Sequence, residues 1–136
     1  MQLRKAITKD THAIRNLFEQ AGRKTDVLTI EAQLLSGAMP DILVYDVGSS
    51  AVGLAELYVL PVFGQQRPLA MVTCLVITEA LRYSGIGSEM TGRLMAWARA
   101  RECTQLIFNG LELPGEALFF QTLGFRSTKG SWIKKL

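Results

Sequence analysis

The chain has 136 residues, of which 49% are hydrophobic and 20% charged, with a formal net charge of +3. This excludes a disordered chain and leaves room for one hydrophobic core, so one domain over residues 1–136 is expected. The cations are scattered, with only Arg126, Lys129, Lys134 and Lys135 loosely grouped; that suits a solvated face or a phosphorylated ligand and excludes the dense, aromatic-interleaved stripe of a nucleic-acid binder.

In chain order, Met1–Ile7 reads as a short strand. Thr8 and Asp10 offer helix-capping side chains, and Ala13, Ile14, Leu17, Phe18 and Ala21 recur at helical spacing before Gly22. A weaker helix is expected over Leu28–Leu35, bounded by Ser36, Gly37 and Pro40. Ile42–Val47 and Ala51–Leu60 read as hairpin partners around Gly48, Ser49 and Ser50. After the break at Pro61–Pro68, the run Leu69–Thr78 completes an antiparallel meander. Met90, Leu94, Trp97 and Ala98 then share one face of a helix that ends near Cys103, and Leu106–Phe108 reads as a short buried strand. A further helix opens at Pro114 and closes at Gly124, and Ser131–Leu136 supplies a last strand. The order β, α, α, β, β, β, α, β, α, β implies an α/β fold: a mixed, mostly antiparallel sheet with helices on both faces.

The two cysteines, Cys74 and Cys103, form no CxxC pair and have no histidine nearby in sequence, so no metal site is expected. With a charged N-terminus and no apolar run of about eighteen residues, neither a signal peptide nor a membrane span is expected, and the cytoplasm is the default location. No nucleic-acid or membrane partner is expected. Exposed strand edges leave homodimerisation open.

The stretch most telling for chemistry runs from Leu75-Val76-Ile77 through Arg82-Tyr83-Ser84-Gly85-Ile86-Gly87-Ser88. A strand, a short loop and a helix start in that order expose the first helical N–H groups, and glycines let an anion reach the main chain. Arg82 adds a charge-assisted donor. The P-loop pattern is absent, and a dinucleotide fingerprint would need glycine where Met90 stands. The plainer alternative is a glycine turn that only caps the helix.

Arg82-Tyr83-Ser84-Gly85-Ile86-Gly87 resembles the R/Q-x-x-G-x-G/A acetyl-CoA signature of GNAT acyltransferases, and Phe119-Phe120-Gln121-Thr122-Leu123-Gly124-Phe125 is similar to that family's F-Y-x-x-x-G-F. The resemblance, which covers nearly the whole chain, implies a GNAT-like fold and acetyl-CoA as co-substrate. It implies that backbone groups of Leu75, Val76 and Ile77 line the pantetheine arm and that Tyr83 to Ser88 bind the pyrophosphate. It further implies that the strands of Leu75 and Phe108 splay apart around the thioester, with Phe120 at the cofactor. The implied reaction is N-acetylation of a primary amine, on a small molecule or a peptide.

Several positions depart from the family pattern. Phe120 replaces a tyrosine that often protonates the leaving thiolate, Leu113 an asparagine that contacts the cofactor, and Glu116 an alanine. Asn109 is expected to end its strand rather than replace that asparagine. Met71-Val72-Thr73-Cys74 lacks the glutamate that often acts as base. The candidate base is instead Glu56, because alternation puts Val52, Leu54, Glu56 and Tyr58 on one face of a central strand and a carboxylate there needs a reason; the alternative is a carboxylate that is merely paired or solvated. Tyr58 and Tyr83 are further proton-donor candidates, and His12 reads as a surface residue. The departures leave a second function open, a coenzyme-A-binding or regulatory module with weakened catalysis.

Overall fold

The computed structural model describes residues 2–109 and 115–136; the readings of Leu113 and Pro114 fall outside them. Seven strands form one sheet in the order β1-β2-β3-β4-β5-β7-β6. They are β1 (Gln2–Lys5), β2 (Asp41–Val47), β3 (Ser50–Leu60), β4 (Leu69–Ile77), β5 (Gln105–Asn109), β6 (Arg126–Thr128) and β7 (Ser131–Lys135). The helices are α1 (Thr11–Gln20), α2 (Val27–Ser36), α3 (Ile86–Ala100) and α4 (Glu116–Thr122). Every pairing is antiparallel except β4 with β5, whose parallel alignment requires a crossover, here made by α3. The mixed, mostly antiparallel sheet read from the sequence is the one observed.

Alternation along the strands feeds two cores. On one face Leu43, Leu57, Val72, Leu106 and Phe108 pack with Met90, Leu94 and Ala98 of α3 and with Phe120, Phe125 and Trp132. On the other, Val44, Leu54, Cys74 and Val76 meet Ile14, Leu17 and Phe18 of α1 and Ile30 of α2. Side chains such as Leu54 and Phe108 are essentially sealed from water, each contributing roughly 1.5–3 kcal/mol of burial.

Two local readings change, and two local features had not been read. Asp10 does not cap α1: its carboxylate accepts the Ile7 N–H at 2.7 Å and the Arg4 guanidinium at 2.8 and 2.9 Å, so it ties β1 to the helix start. Asp26 caps α2, its side chain accepting from Thr29 N at 3.2 Å. Val52 does not share the face of Leu54 and Glu56. The pairing jumps from Tyr45↔Gly53 to Asp46↔Ala51, and the extra residue turns Val52 into the α3-side core. Finally, β6 was not legible as a strand: it is three residues long, and the turn joining it to β7 is Lys129-Gly130, both with positive φ (46° and 83°). That is the conformation of a two-residue hairpin turn, here without the Asn-Gly or Asp-Gly pair that usually announces it.

Candidate active site

β4 carries the site because its two edges end differently. Against β3 it stays paired to Gly53↔Ile77, whereas against β5 the paired residues are Ala70↔Leu106, Met71↔Ile107 and Val72↔Phe108. Beyond that point β5 remains with β7 through Asn109↔Ser131. Among the described residues, the β5-facing edge of Thr73–Ile77 therefore has no partner strand. A row of backbone donors and acceptors opens there, and such groups need partners. Leu75, Val76 and Ile77 all lie on this stretch. The Ile77 carbonyl is already engaged, accepting from Arg82 Nε at 3.2 Å.

The strand leads into a loop shaped by backbone sign changes. Arg82 has φ −63°, Tyr83 φ +64° and Gly85 φ +90°. Arg82 is extended (ψ 145°), so with Tyr83 it forms a turn closed by Ser84 N on Leu81 O at 3.3 Å. The alternation of hands falls at Gly85 and the first helical residue, Ile86, a nest suited to an anion. α3 begins at Ile86, and its first intrahelical bond in this turn is Glu89 N to Gly85 O at 3.1 Å. The N–H groups of Ile86, Gly87 and Ser88 thus lack helical acceptors, and among the described residues no side chain caps the helix. Tyr83 adopts the left-handed region despite its side chain, which is 90% exposed. A non-glycine residue held there stores strain, as occurs where a loop must present its backbone.

The two glycines have separate reasons. A Cβ on Gly85 would meet nothing within 4 Å, so its requirement is conformational. A Cβ on Gly87 would lie 3.3 Å from Cε1 of Phe119, so Gly87 lets α3 close onto α4.

Gln20, the last residue of α1, braces this loop and was not singled out by the sequence. Its side-chain oxygen accepts from Glu79 N at 2.7 Å and Thr78 Oγ1 at 3.3 Å, and its backbone oxygen accepts from Arg82 Nη2 at 3.4 Å. Arg82 therefore spends two donors on the protein itself, holding the loop to β4 and α1. Ser84 Oγ closes the turn onto Leu81 O.

Glu56 sits where the strands part. A bulge in β4 pairs Glu56 with Cys74 and Leu57 with Val72, which leaves Thr73 as the extra residue. Thr73 Oγ1 donates to Glu56 Oε1 at 3.2 Å. Arg23 Nη1 donates to Glu56 Oε2 at 2.8 Å, and Nη2 reaches Oε1 at 3.5 Å. The candidate base is thus a paired carboxylate, the plainer of the two sequence readings, but the pair borders a cavity of about 700 Å³ between α2, the segment 23–26, and strands β2 and β3. Glu56 and Tyr58 both line it. Burial works against the Arg23 charge, but the Glu56 carboxylate, with smaller help from Cys74 and Tyr58, outweighs it and holds the guanidinium above its ordinary range. Cys74, the strand partner of Glu56, is pushed up to about 11 by burial, so its thiol stays protonated at neutral pH.

Phe120 is placed in the interior, with no exposed surface, rather than with its ring at the opening. Its ring lies 4.9 Å from that of Phe108, 5.1 Å from Phe119 and 5.4 Å from Trp132, on which it stacks. Without a hydroxyl to satisfy, the ring gains most by joining this aromatic cluster. Tyr83 is exposed on the loop, Asn109 ends β5 and accepts from Ser131 Oγ at 2.9 Å, and His12 is exposed on α1.

The family model for the acetyltransferase (GNAT) family matches residues 8–125. The search of curated proteins returns no match. Among solved structures, an acetyltransferase from Thermus thermophilus superposes with a TM-score of 0.77 at 17% identity, covering 99% of this chain and 96% of that one. The ribosomal-protein-alanine N-acetyltransferase from Brucella melitensis biovar Abortus 2308 gives 0.78 at 18%, over 95% and 94% of the two chains. A transcriptional regulator from Bacillus halodurans gives 0.79 at 18%, over 93% of each. These likenesses show the fold, and the fold alone does not fix the reaction. The family match spans most of the sequence and includes both the loop from Arg82 to Ser88 and the aromatic segment around Phe120: the chain belongs to the GNAT acetyltransferase family.

Proposed function

We propose that this protein transfers an acetyl group directly from acetyl-CoA to a primary amine. The observation that carries the reading is the parting of β4 from β5 after Val72↔Phe108, beside Glu56 and Thr73 at one end and continuous with the loop nest at the other. An amide-rich arm ending in a diphosphate fits both features: the unpaired β4 edge of Leu75–Ile77 offers backbone partners, and within the loop Tyr83 to Ser88 the helix-start N–H groups of Ile86, Gly87 and Ser88 offer an anion site, the Ser84 N–H being held by Leu81 O.

Acetyl-CoA supplies the acetyl thioester. Backbone N–H groups near Val76 are the candidates to stabilise the oxyanion that develops on the carbonyl. The amine must lose a proton, and Glu56 is its acceptor, directly or through water. The new C–N bond forms as the C–S bond breaks. With Phe120 sealed in the core, the thiolate takes its proton from water, which is tolerable for a leaving group whose pKa is near 8.5 for cysteine-like thiols.

Two features favour a second reading, a module that binds coenzyme A without efficient transfer: the Phe120 ring has no hydroxyl, and the Glu56 carboxylate is held by Arg23. Thiol release from acetyl-CoA over a panel of amines tests the choice. Release above background for at least one amine supports the enzyme. Tight coenzyme A binding with no amine-dependent release replaces it with the binding module.

A further inference from the structure

The cavity beside Glu56 is charged unevenly once each side chain's existing partner is counted. Three carboxylates line it, and all three are engaged: Asp41 with Lys5 at 3.2 Å, Asp26 with the N–H and hydroxyl of Thr29, and Glu56 with Arg23 and Thr73. The donors are not used up. Arg23 spends one strong and one long hydrogen bond on Glu56 out of the five N–H groups of a guanidinium. Its plane is held 4.6 Å over the Phe18 ring and its side chain is 44% exposed, so the free edge is fixed yet reachable. Lys24, the next residue, also lines the cavity and has no ion-pair partner among the described residues. The Thr25 hydroxyl, on the same wall, is buried and has no hydrogen-bond partner among the described residues.

The unspent groups of this cavity therefore call for an anion, while its inner end holds the carboxylate that would meet an amine. We infer that the acceptor is a small amine that carries its own carboxylate, gripped by Arg23 with its amine directed at Glu56. This rests on the transferase reading given above. A guanidinium that already holds one carboxylate is shaped for a second, since its fork matches carboxylate geometry in a way that a lysine does not. The short span between Arg23 and Glu56, set by their 2.8 Å contact, requires amine and carboxylate to be a few bonds apart. A free amino acid satisfies this; the N-terminus of a long peptide, whose carboxylate is remote, does not.

Matched pairs differing only in the carboxylate test the inference: tyrosine against tyramine, and histidine against histamine, with thiol release from acetyl-CoA as the readout. The amino acid is expected to lead by at least about tenfold in kcat/KM, chiefly through KM. Arg23→Met is expected to erase that lead, and Arg23→Lys to retain part of it. Equal or better use of the decarboxylated amines overturns carboxylate recognition while leaving the transferase reading intact. Should none of the four be turned over, calorimetry on the coenzyme-A-loaded protein decides. Amino-acid binding that is lost in Arg23→Met upholds the carboxylate site while counting against transfer, and binding by no member of either pair overturns the inference.

Discussion

The two ends of the candidate site are built from different materials. The loop end is made of backbone: sign changes in φ at Tyr83 and Gly85, helix-start N–H groups, and an unpaired strand edge. The cavity end is made of side chains drawn from distant parts of the chain, with Arg23 and Glu56 33 positions apart and Glu56 and Thr73 17 apart. A backbone site binds what every member of a family shares, because it depends on glycine positions and chain direction. A side-chain site can change its ligand with one substitution, so the acceptor should be sought there.

The largest effect is expected at the loop. Gly85→Val puts a β-branched side chain at φ +90°, where L-residues pay about 1–2 kcal/mol or more, although a Cβ there has open space around it. The loop escapes by changing conformation, and the nest is lost with it. Coenzyme A affinity should fall at least about tenfold for each 1.4 kcal/mol given up, with thermal stability little altered. Gly87→Val should do the reverse in emphasis. Its side chain would press on Phe119, 3.3 Å from the added Cβ, so stability should drop by the roughly 1–3 kcal/mol typical of overpacking. Calorimetric affinity and melting temperature, measured on both variants, separate the two roles. Equal loss of affinity and stability in both would mean that the two glycines share one role.

Phe120→Tyr is expected to cost stability and bring no gain in rate. A hydroxyl added to a ring enclosed by Phe108, Phe119, Phe125 and Trp132 has to find a partner in an apolar cluster, at about 1–3 kcal/mol if it finds none. Denaturant unfolding and single-turnover thiol release check this together. A faster variant of unchanged stability would show that the ring can swing to the opening and act as the missing acid.

These contrasts also explain what the sequence disclosed. Hydrophobic periodicity located the meander of β2, β3 and β4 and the buried face of α3, because period 2 and period 3.6 follow directly from burial. Glycine spacing located the loop for the same local reason. Gln20 and Arg23 left no trace: a glutamine at a helix end and an arginine after Gly22 are chemically ordinary, and their importance comes from what the fold sets opposite them. The displaced Val52 and the extra residue Thr73 were hidden because a bulge changes which face a side chain takes without changing composition. Phe120 was read from its place in a motif, but its ring follows hydrophobic burial into the core.

A smaller effect is expected from Gln20→Ala. The substitution removes the acceptor of Glu79 N and Thr78 Oγ1 but keeps the backbone contact to Arg82, so the loop is loosened at one of its two ties. Two hydrogen bonds are lost, each worth about 0.5–1.5 kcal/mol, the longer one from Thr78 contributing the less. Coenzyme A affinity should weaken by several fold, with the preference between paired acceptors unchanged. A change in acceptor preference instead would show that the two ends of the site are mechanically coupled through the short segment from Gln20 to Arg23.

The smallest effect is expected at the far end of α1, ten residues and about 15 Å of helix away from Gln20. Here Arg4 bridges Asp10 at 2.8 Å and Asp46 at 2.7 Å, with side chains only 29%, 10% and 17% exposed. The Arg4 hydrogen bond, opposed by burial and aided by the Ile7 N–H, holds the Asp10 carboxyl below its ordinary range. A depressed folded-state value means that the unfolded chain binds the proton more readily, so the contribution is complete above the unfolded value of about 3.9 and is lost as the pH falls through the folded one. Asp10→Asn should therefore lower the melting temperature slightly near neutral pH and flatten the decline in stability below about pH 4. The loss should be modest because Arg4 retains Asp46, and ion pairs that still touch solvent are worth about 1 kcal/mol or less. Coenzyme A affinity and acceptor preference should not move. Loss of affinity in Asp10→Asn at neutral pH would mean that the start of α1 sets the loop at its other end, and the division between a backbone-built loop and a side-chain-built cavity would have to be redrawn around the helix that joins them.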